Sequence, residues 1–96
     1  MIVVDVTETG ITVDGHAGYA EEGKDIVCSA VSTLAQNLIY SMEALTRDAI
    51  SYRIVKGHID IEYKNLSEQG KLLVDSFFIG ICKVQEAYGE RYLQIR

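Results

Sequence analysis

Cys28 and His16 are of the residue types that do nucleophilic catalysis at neutral pH, and eleven residues separate them. A thiol attacks as its thiolate, so a catalytic cysteine needs an accessible position that stabilises an anion. Cys28 falls where an amphipathic helical pattern begins. Asp25 is the natural N-cap, its carboxylate accepting the backbone N–H of Val27 or Cys28. The third helical position then benefits from the partial positive charge of unpaired N–H groups. His16 stands at the exit of a strand-like stretch and reaches the thiol if the intervening loop folds back. In that arrangement Cys28 attacks a carbonyl, His16 accepts and later donates the proton, and helix-start N–H groups face the developing oxyanion.

The intervening stretch, AGYAEEGK over residues 17 to 24, holds two glycines and no hydrophobic period, the composition of a loop. With Gly18 and Gly23 as hinges and Tyr19 between them, it is expected to act as a lid that orders on substrate. Asp25 has two candidate roles, capping the helix or orienting His16 as the third member of a triad. Asp25→Asn alone does not separate them. The competing interpretation of Cys28 and His16 is plain structure: cysteine is a frequent core residue, and a histidine can close a hairpin without chemistry. The loop favours chemistry, because sites commonly form between a strand end and a helix start.

The elements that must position these residues are legible from periodicity. Ile2, Val4 and Val6, then Ile11 and Val13, alternate with polar neighbours across Glu8-Thr9-Gly10, where glycine suits a positive φ; residues 2–16 therefore form a β-hairpin. Val27, Val31, Leu34, Leu38, Met42 and Leu45 recur at three and four, predicting a helix over about 25–46. A second hairpin follows from Ile50, Tyr52 and Ile54 against Ile59, Ile61 and Tyr63, turning at Lys56-Gly57. Ser67 caps a second helix with Glu68 in its first turn. That helix is apolar on more than one face, through Leu72, Leu73, Phe77, Phe78, Ile81, Cys82 and Val84, as in helices that are deeply buried or shared with another subunit. Gly70 and Gly80 interrupt it at a cost that close helix packing offsets, and Gly89 stops it. Tyr92, Leu93 and Ile95 predict a short closing strand. The fold class is α+β: a single domain, residues 1–96, of order ββαββαβ, with two helices packed on a sheet whose strand order the sequence leaves open.

Composition narrows the function. The chain is 48% hydrophobic and 24% charged, with no run of roughly 20 apolar residues that would span a bilayer. The N-terminus shows no secretory signal, so the expected location is the cytoplasm, where Cys28 and Cys82 are free thiols. A formal charge of -5 disfavours nucleic acid and favours a cationic partner.

These residues also carry a resemblance. The run Gly15-His16-Ala17-Gly18-Tyr19-Ala20, followed by Gly23-x-Asp25-Ile26-Val27-Cys28-x-Ala30-x-Ser32-x-Leu34, resembles the signature of the ribosomal-processing cysteine protease family, Prp. The resemblance implies an endopeptidase that removes the N-terminal extension of a large-subunit ribosomal protein by cutting after an aromatic pair. It implies Cys28 as nucleophile, His16 as base, Asp25 and Ser32 as supporting residues, and a homodimer. Ser32 lies one helical turn beyond Cys28, which suits either support of the site or packing of a small residue against the sheet. Given a basic ribosomal substrate, Glu21 and Glu22 are candidate charge contacts, or simply residues that solvate the loop.

Other constellations are weaker. His16, His58, Cys28 and Cys82 lack CxxC or HxxxH spacing, so no metal or other cofactor is expected. His58 is expected on the outer face of a strand and Cys82 in the core. Tyr52, Tyr63, Tyr88 and Tyr92 are expected in packing, since no basic residues interleave densely with them. A phosphatase loop would have arginine where Leu34 stands, and a thioredoxin-like role would need a second cysteine within Ser29 to Val31. The alternative from another class is a non-catalytic acidic protein that binds a basic ribosomal or assembly partner.

Overall fold

The computed structural model describes residues 1–96. The first alternating stretch forms β1 (Ile2–Thr7) and β2 (Gly10–Gly15), paired antiparallel with Val4 opposite Val13 and Val6 opposite Ile11, so that their apolar side chains share one face. The second forms β3 (Ile50–Val55) and β4 (His58–Tyr63). β4 joins β2 antiparallel, Ile59 against Val13 and Ile61 against Ile11, while the short β5 (Leu93–Ile95) runs parallel to β1. The sheet order is β3-β4-β2-β1-β5. Helices α1 (Ile26–Leu45) and α2 (Glu68–Tyr88) complete the expected ββαββαβ order.

The core lies between the helices and the apolar face of the sheet. Val27, Val31, Ala35, Leu38, Ile39 and Met42 of α1 are buried with Val4, Ile11, Val13, Ile59 and Ile61. Leu34 lies against Gly80, where an added methyl would approach Leu34 Cδ2 to 3.0 Å, so that glycine does serve helix packing. The rest of α2 is shallower than its composition suggests. Only Gly70, Phe77 and Ile81 are buried, whereas Leu72 and Ile79 are 69% and 61% exposed. Cys82, expected in the core, is half-buried beside it. No helix is long and apolar enough to cross a membrane.

Two local features depart from expectation. Gly10 does not have a positive φ; the first hairpin turns through Glu8 and Thr9, and Gly10 already belongs to β2. Glycine is needed there because a methyl would sit 2.5 Å from the carbonyl oxygen of Ile61 on the neighbouring strand. The edge strand β3 also extends beyond the helices: its core-side residues Tyr52 and Ile54 remain 42% and 39% exposed.

The start of α2 is tied to the end of α1 by Asp48. Its carboxylate accepts the Ser67 backbone N–H at 3.0 Å and the Ser67 hydroxyl at 2.8 Å, while that hydroxyl accepts the Gly70 N–H at 3.1 Å. Gly70 has no side chain because Asp48 occupies the space. Asp48→Ala removes two hydrogen bonds that hold a cap in place, a loss of about 1–2 kcal/mol. For a domain of this size that corresponds to a Tm roughly 4–15 °C lower, measurable by thermal unfolding.

Candidate active site

β2 ends at Gly15 beside the start of α1, and the β3–β4 turn closes in from the other side. His16 follows directly from β2 and is exposed, whereas Cys28, the third residue of α1, is half-buried. The Cys28 Sγ accepts the backbone N–H of Ala17 at 3.3 Å, so the residue after His16 contacts the sulfur. His16, Cys28 and Ser32 together line two adjoining clefts. One, of about 390 Å³, opens between Val31, Ser32 and Gln36 of α1 and the hairpin residues Ile54, Val55 and Gly57. The other, of about 340 Å³, lies on the loop side, against Gly18, Ala20, Glu22, Gly23 and Ser29. A larger hollow of about 680 Å³, at the opposite end of the sheet among Thr7, Tyr63, Leu66 and Lys71, contains neither cysteine nor histidine. Chemistry therefore favours the smaller clefts.

Asp25 organises the corner. It is the one charged side chain among the buried residues, 8% exposed. An uncompensated carboxylate there would be costly. Its Oδ1 accepts the N–H groups of Val27 and Cys28, both at 3.0 Å, and its Oδ2 accepts those of Tyr19 at 3.0 Å and Ala20 at 3.3 Å. One carboxylate thus caps α1 and clamps the loop onto it. Burial alone would raise its pKa, but the N–H groups of Cys28, Ala20, Tyr19 and Val27 outweigh burial and hold it below the ordinary value of 3.8. Both oxygens are committed to backbone donors, and His16 is not among their partners. The expectation that helix-start donors face an oxyanion needs correction for the same reason. The Val27 and Cys28 N–H groups are bound to Asp25 Oδ1, and the Ser29 N–H to the Asp25 carbonyl.

The loop is anchored along its length. Gly18 and Gly23 both take positive φ. The Tyr19 ring packs edge-on against Tyr88 and Tyr92, with centroids 5.4 and 5.1 Å apart. Glu21 pairs with Lys24 within the loop, and Glu22 pairs with Lys56 on the β3–β4 turn. The Lys56 ammonium lowers the Glu22 pKa, with a smaller contribution from His16. Both glutamates therefore already have internal cationic partners. Lys56 and Gly57 are the site residues that sequence reasoning took for a turn alone; only the three-dimensional pairing of β4 with β2 brings them beside His16.

His58 is on the outer face of β4, as expected. Its Nδ1 meets Asp14 and its Nε2 meets Asp60, both at 2.9 Å, and hydrogen bonds to these carboxylates raise its pKa above 6.5.

The family model described as cysteine protease Prp matches residues 1–94. The ribosomal processing cysteine protease Prp of Staphylococcus aureus is 29% identical over 94% of this chain and 93% of its own length. The protein of the same name from Mycoplasma genitalium is 47% identical over 33% of this chain and 32% of its own length. A crystal structure of the S. aureus protease with a covalently linked product peptide superposes with a TM-score of 0.91 at 24% identity, covering 100% of this chain and 98% of that one. A Streptococcus mutans protein superposes at 0.83 and 29% identity, over 100% and 92%.

Two outcomes follow from the charges. Asp25→Ala costs about 1–2 kcal/mol at neutral pH for the cap alone. Because the folded-state pKa is depressed, this contribution is present above the unfolded value and lost as pH falls through the folded one. The Tm gap between wild type and variant therefore narrows only below about pH 4. His58 has the opposite sign. Its contribution is complete below 6.5 and lost as pH rises through the higher folded value, so wild type should lose stability relative to His58→Ala on going from pH 6 to pH 9. Thermal melts across the two ranges check both.

Proposed function

We propose, for a chain that belongs to the cysteine protease Prp family, that Cys28 is the nucleophile and His16 the general base of an endopeptidase that processes a ribosomal protein. The family is one of cysteine proteases, so the reaction class is peptide-bond hydrolysis. The observation that carries the assignment is that His16 and Cys28 line the same two clefts, with a backbone N–H from Ala17 at the sulfur.

In this reading the Cys28 thiolate attacks the scissile carbonyl carbon and a C–S bond forms. His16 donates its proton to the departing amine as the C–N bond breaks, leaving an acyl-enzyme. His16 then takes a proton from water, which attacks the acyl carbon; the C–S bond breaks and the acid is released. The Ala17 N–H, which donates to the sulfur at rest, turns to the oxyanion as the C–S bond forms. Asp25 supports the pair by holding the loop to the helix, and Ser32 lines both clefts. The loop carrying Gly18, Tyr19 and Gly23 serves as the lid, and it opens by giving up the Tyr19 packing and the Glu22–Lys56 pair. Once that pair opens, Glu22 becomes available to a basic segment of substrate; Glu21 is the second candidate contact.

The S. aureus protease has been crystallised with a substrate peptide. For this chain we infer the same use of the clefts, with an extended peptide passing Cys28. The exposed core-side residues Tyr52 and Ile54 of β3 offer apolar surface for the aromatic pair preceding the cut. The substrate is the N-terminal extension of a large-subunit ribosomal protein, met in the cytoplasm. A homodimer formed through the exposed apolar residues of α2, Leu72 and Ile79 among them, accounts for that helix.

Wild-type protein should cleave a peptide bearing an aromatic pair before a basic segment, and Cys28→Ala should lose roughly 10³-fold or more of that activity while folding normally. Equal cleavage by both proteins, or none by either, contradicts the assignment and favours a non-catalytic binder.

A further inference from the structure

We propose that Gly57, in the β3–β4 turn, is a positioning residue for the His16 imidazole; this rests on the assignment of His16 as the general base. A methyl placed on Gly57 would lie 2.9 Å from His16 Nε2, 3.3 Å from Cε1 and 3.7 Å from Cδ2. The Nε2 edge of the ring therefore occupies the space into which a side chain at Gly57 would project. A hydrogen atom is the only substituent that lets the imidazole come this close.

Three further observations make this turn a platform and not a chance neighbour. The Gly57 carbonyl accepts the Gly15 N–H at 2.9 Å, which fixes the turn to the residue before His16. Lys56, adjacent in the turn, pairs with Glu22 from the loop on the other side of the site. Gly57 also has φ +76°, a conformation that side chains other than Asn and Asp adopt at a cost. The exposed His16 has no hydrogen-bonded partner of its own to hold its ring, so contact with the turn supplies the orientation that a third triad member gives elsewhere. Asp25, committed to four backbone donors, is not that orienter.

The test uses Gly57→Asn, because asparagine tolerates positive φ while its Cβ displaces the imidazole. The variant is expected to keep its KM and lose about 10²-fold in kcat, the size of effect that misplacing a catalytic group by about 1 Å produces. A merely structural role is excluded by the rate of Cys28 alkylation with iodoacetamide, measured in two backgrounds. Gly57→Asn should slow alkylation toward the His16→Ala rate, and should add nothing in a His16→Ala chain. Equal slowing in both backgrounds, or none in either, overturns the proposal. If His16→Ala alone alkylates and cleaves like wild type, the general-base assignment fails and Gly57's role fails with it; if His16→Ala is impaired while Gly57→Asn is not, only the role of Gly57 falls. Should Gly57→Asn not fold, the contact is tested in the wild-type protein. A nuclear Overhauser effect between the His16 ring protons and Gly57 Hα is expected, and its absence overturns the proposal.

Discussion

A buried carboxylate that accepts four backbone hydrogen bonds is the constraint on which the rest of the site depends. Asp25 would be a liability at 8% exposure if its oxygens were unmatched. Divided between the first turn of α1 and the start of the loop, it becomes the joint that holds residues 19 and 20 against the helix bearing Cys28. Keeping the loop's first residues there also keeps the Ala17 N–H on the sulfur. The same bonds leave the Val27 and Cys28 N–H groups already occupied.

Around that joint the sheet supplies the second half of the site. β2 delivers His16 at its end, and the antiparallel pairing of β4 with β2 brings the Lys56-Gly57 turn alongside it. Cys28 and His16 are thus held in one corner by two attachments, one through Asp25 to the helix and one through the turn to the sheet. The loop is tied down by the aromatic packing of Tyr19, the exposed Glu22–Lys56 pair and the Asp25 clamp. An exposed ion pair is worth little, so of these contacts the Glu22–Lys56 pair is the weakest.

The elements were legible in the sequence because each has a clean period and a cap. Val27 through Met42 recur at helical spacing, Asp25 and Ser67 cap as their side chains predict, and both hairpins alternate cleanly. What stayed hidden depends on pairings between distant segments. Nothing in Val13 or Ile59 announces that β2 and β4 are neighbours, and without that pairing Gly57 looks like a turn glycine and Lys56 like surface charge. Gly10 is opaque for a related reason: its constraint comes from the Ile61 carbonyl on another strand, not from its own hairpin. Local signals likewise could not show that α2 leaves Leu72 and Ile79 uncovered. The two candidate roles of Asp25 were separable only once its four partners were visible.

The central claim, a Cys28 nucleophile activated by His16, is tested most directly by mass spectrometry after treatment with a peptide chloromethyl ketone that ends in an aromatic pair. One covalent adduct per chain is expected, on Cys28 and not on the equally half-buried Cys82, formed far more slowly in His16→Ala. Labelling of both cysteines alike, or labelling of Cys28 that is indifferent to the loss of His16, would contradict it.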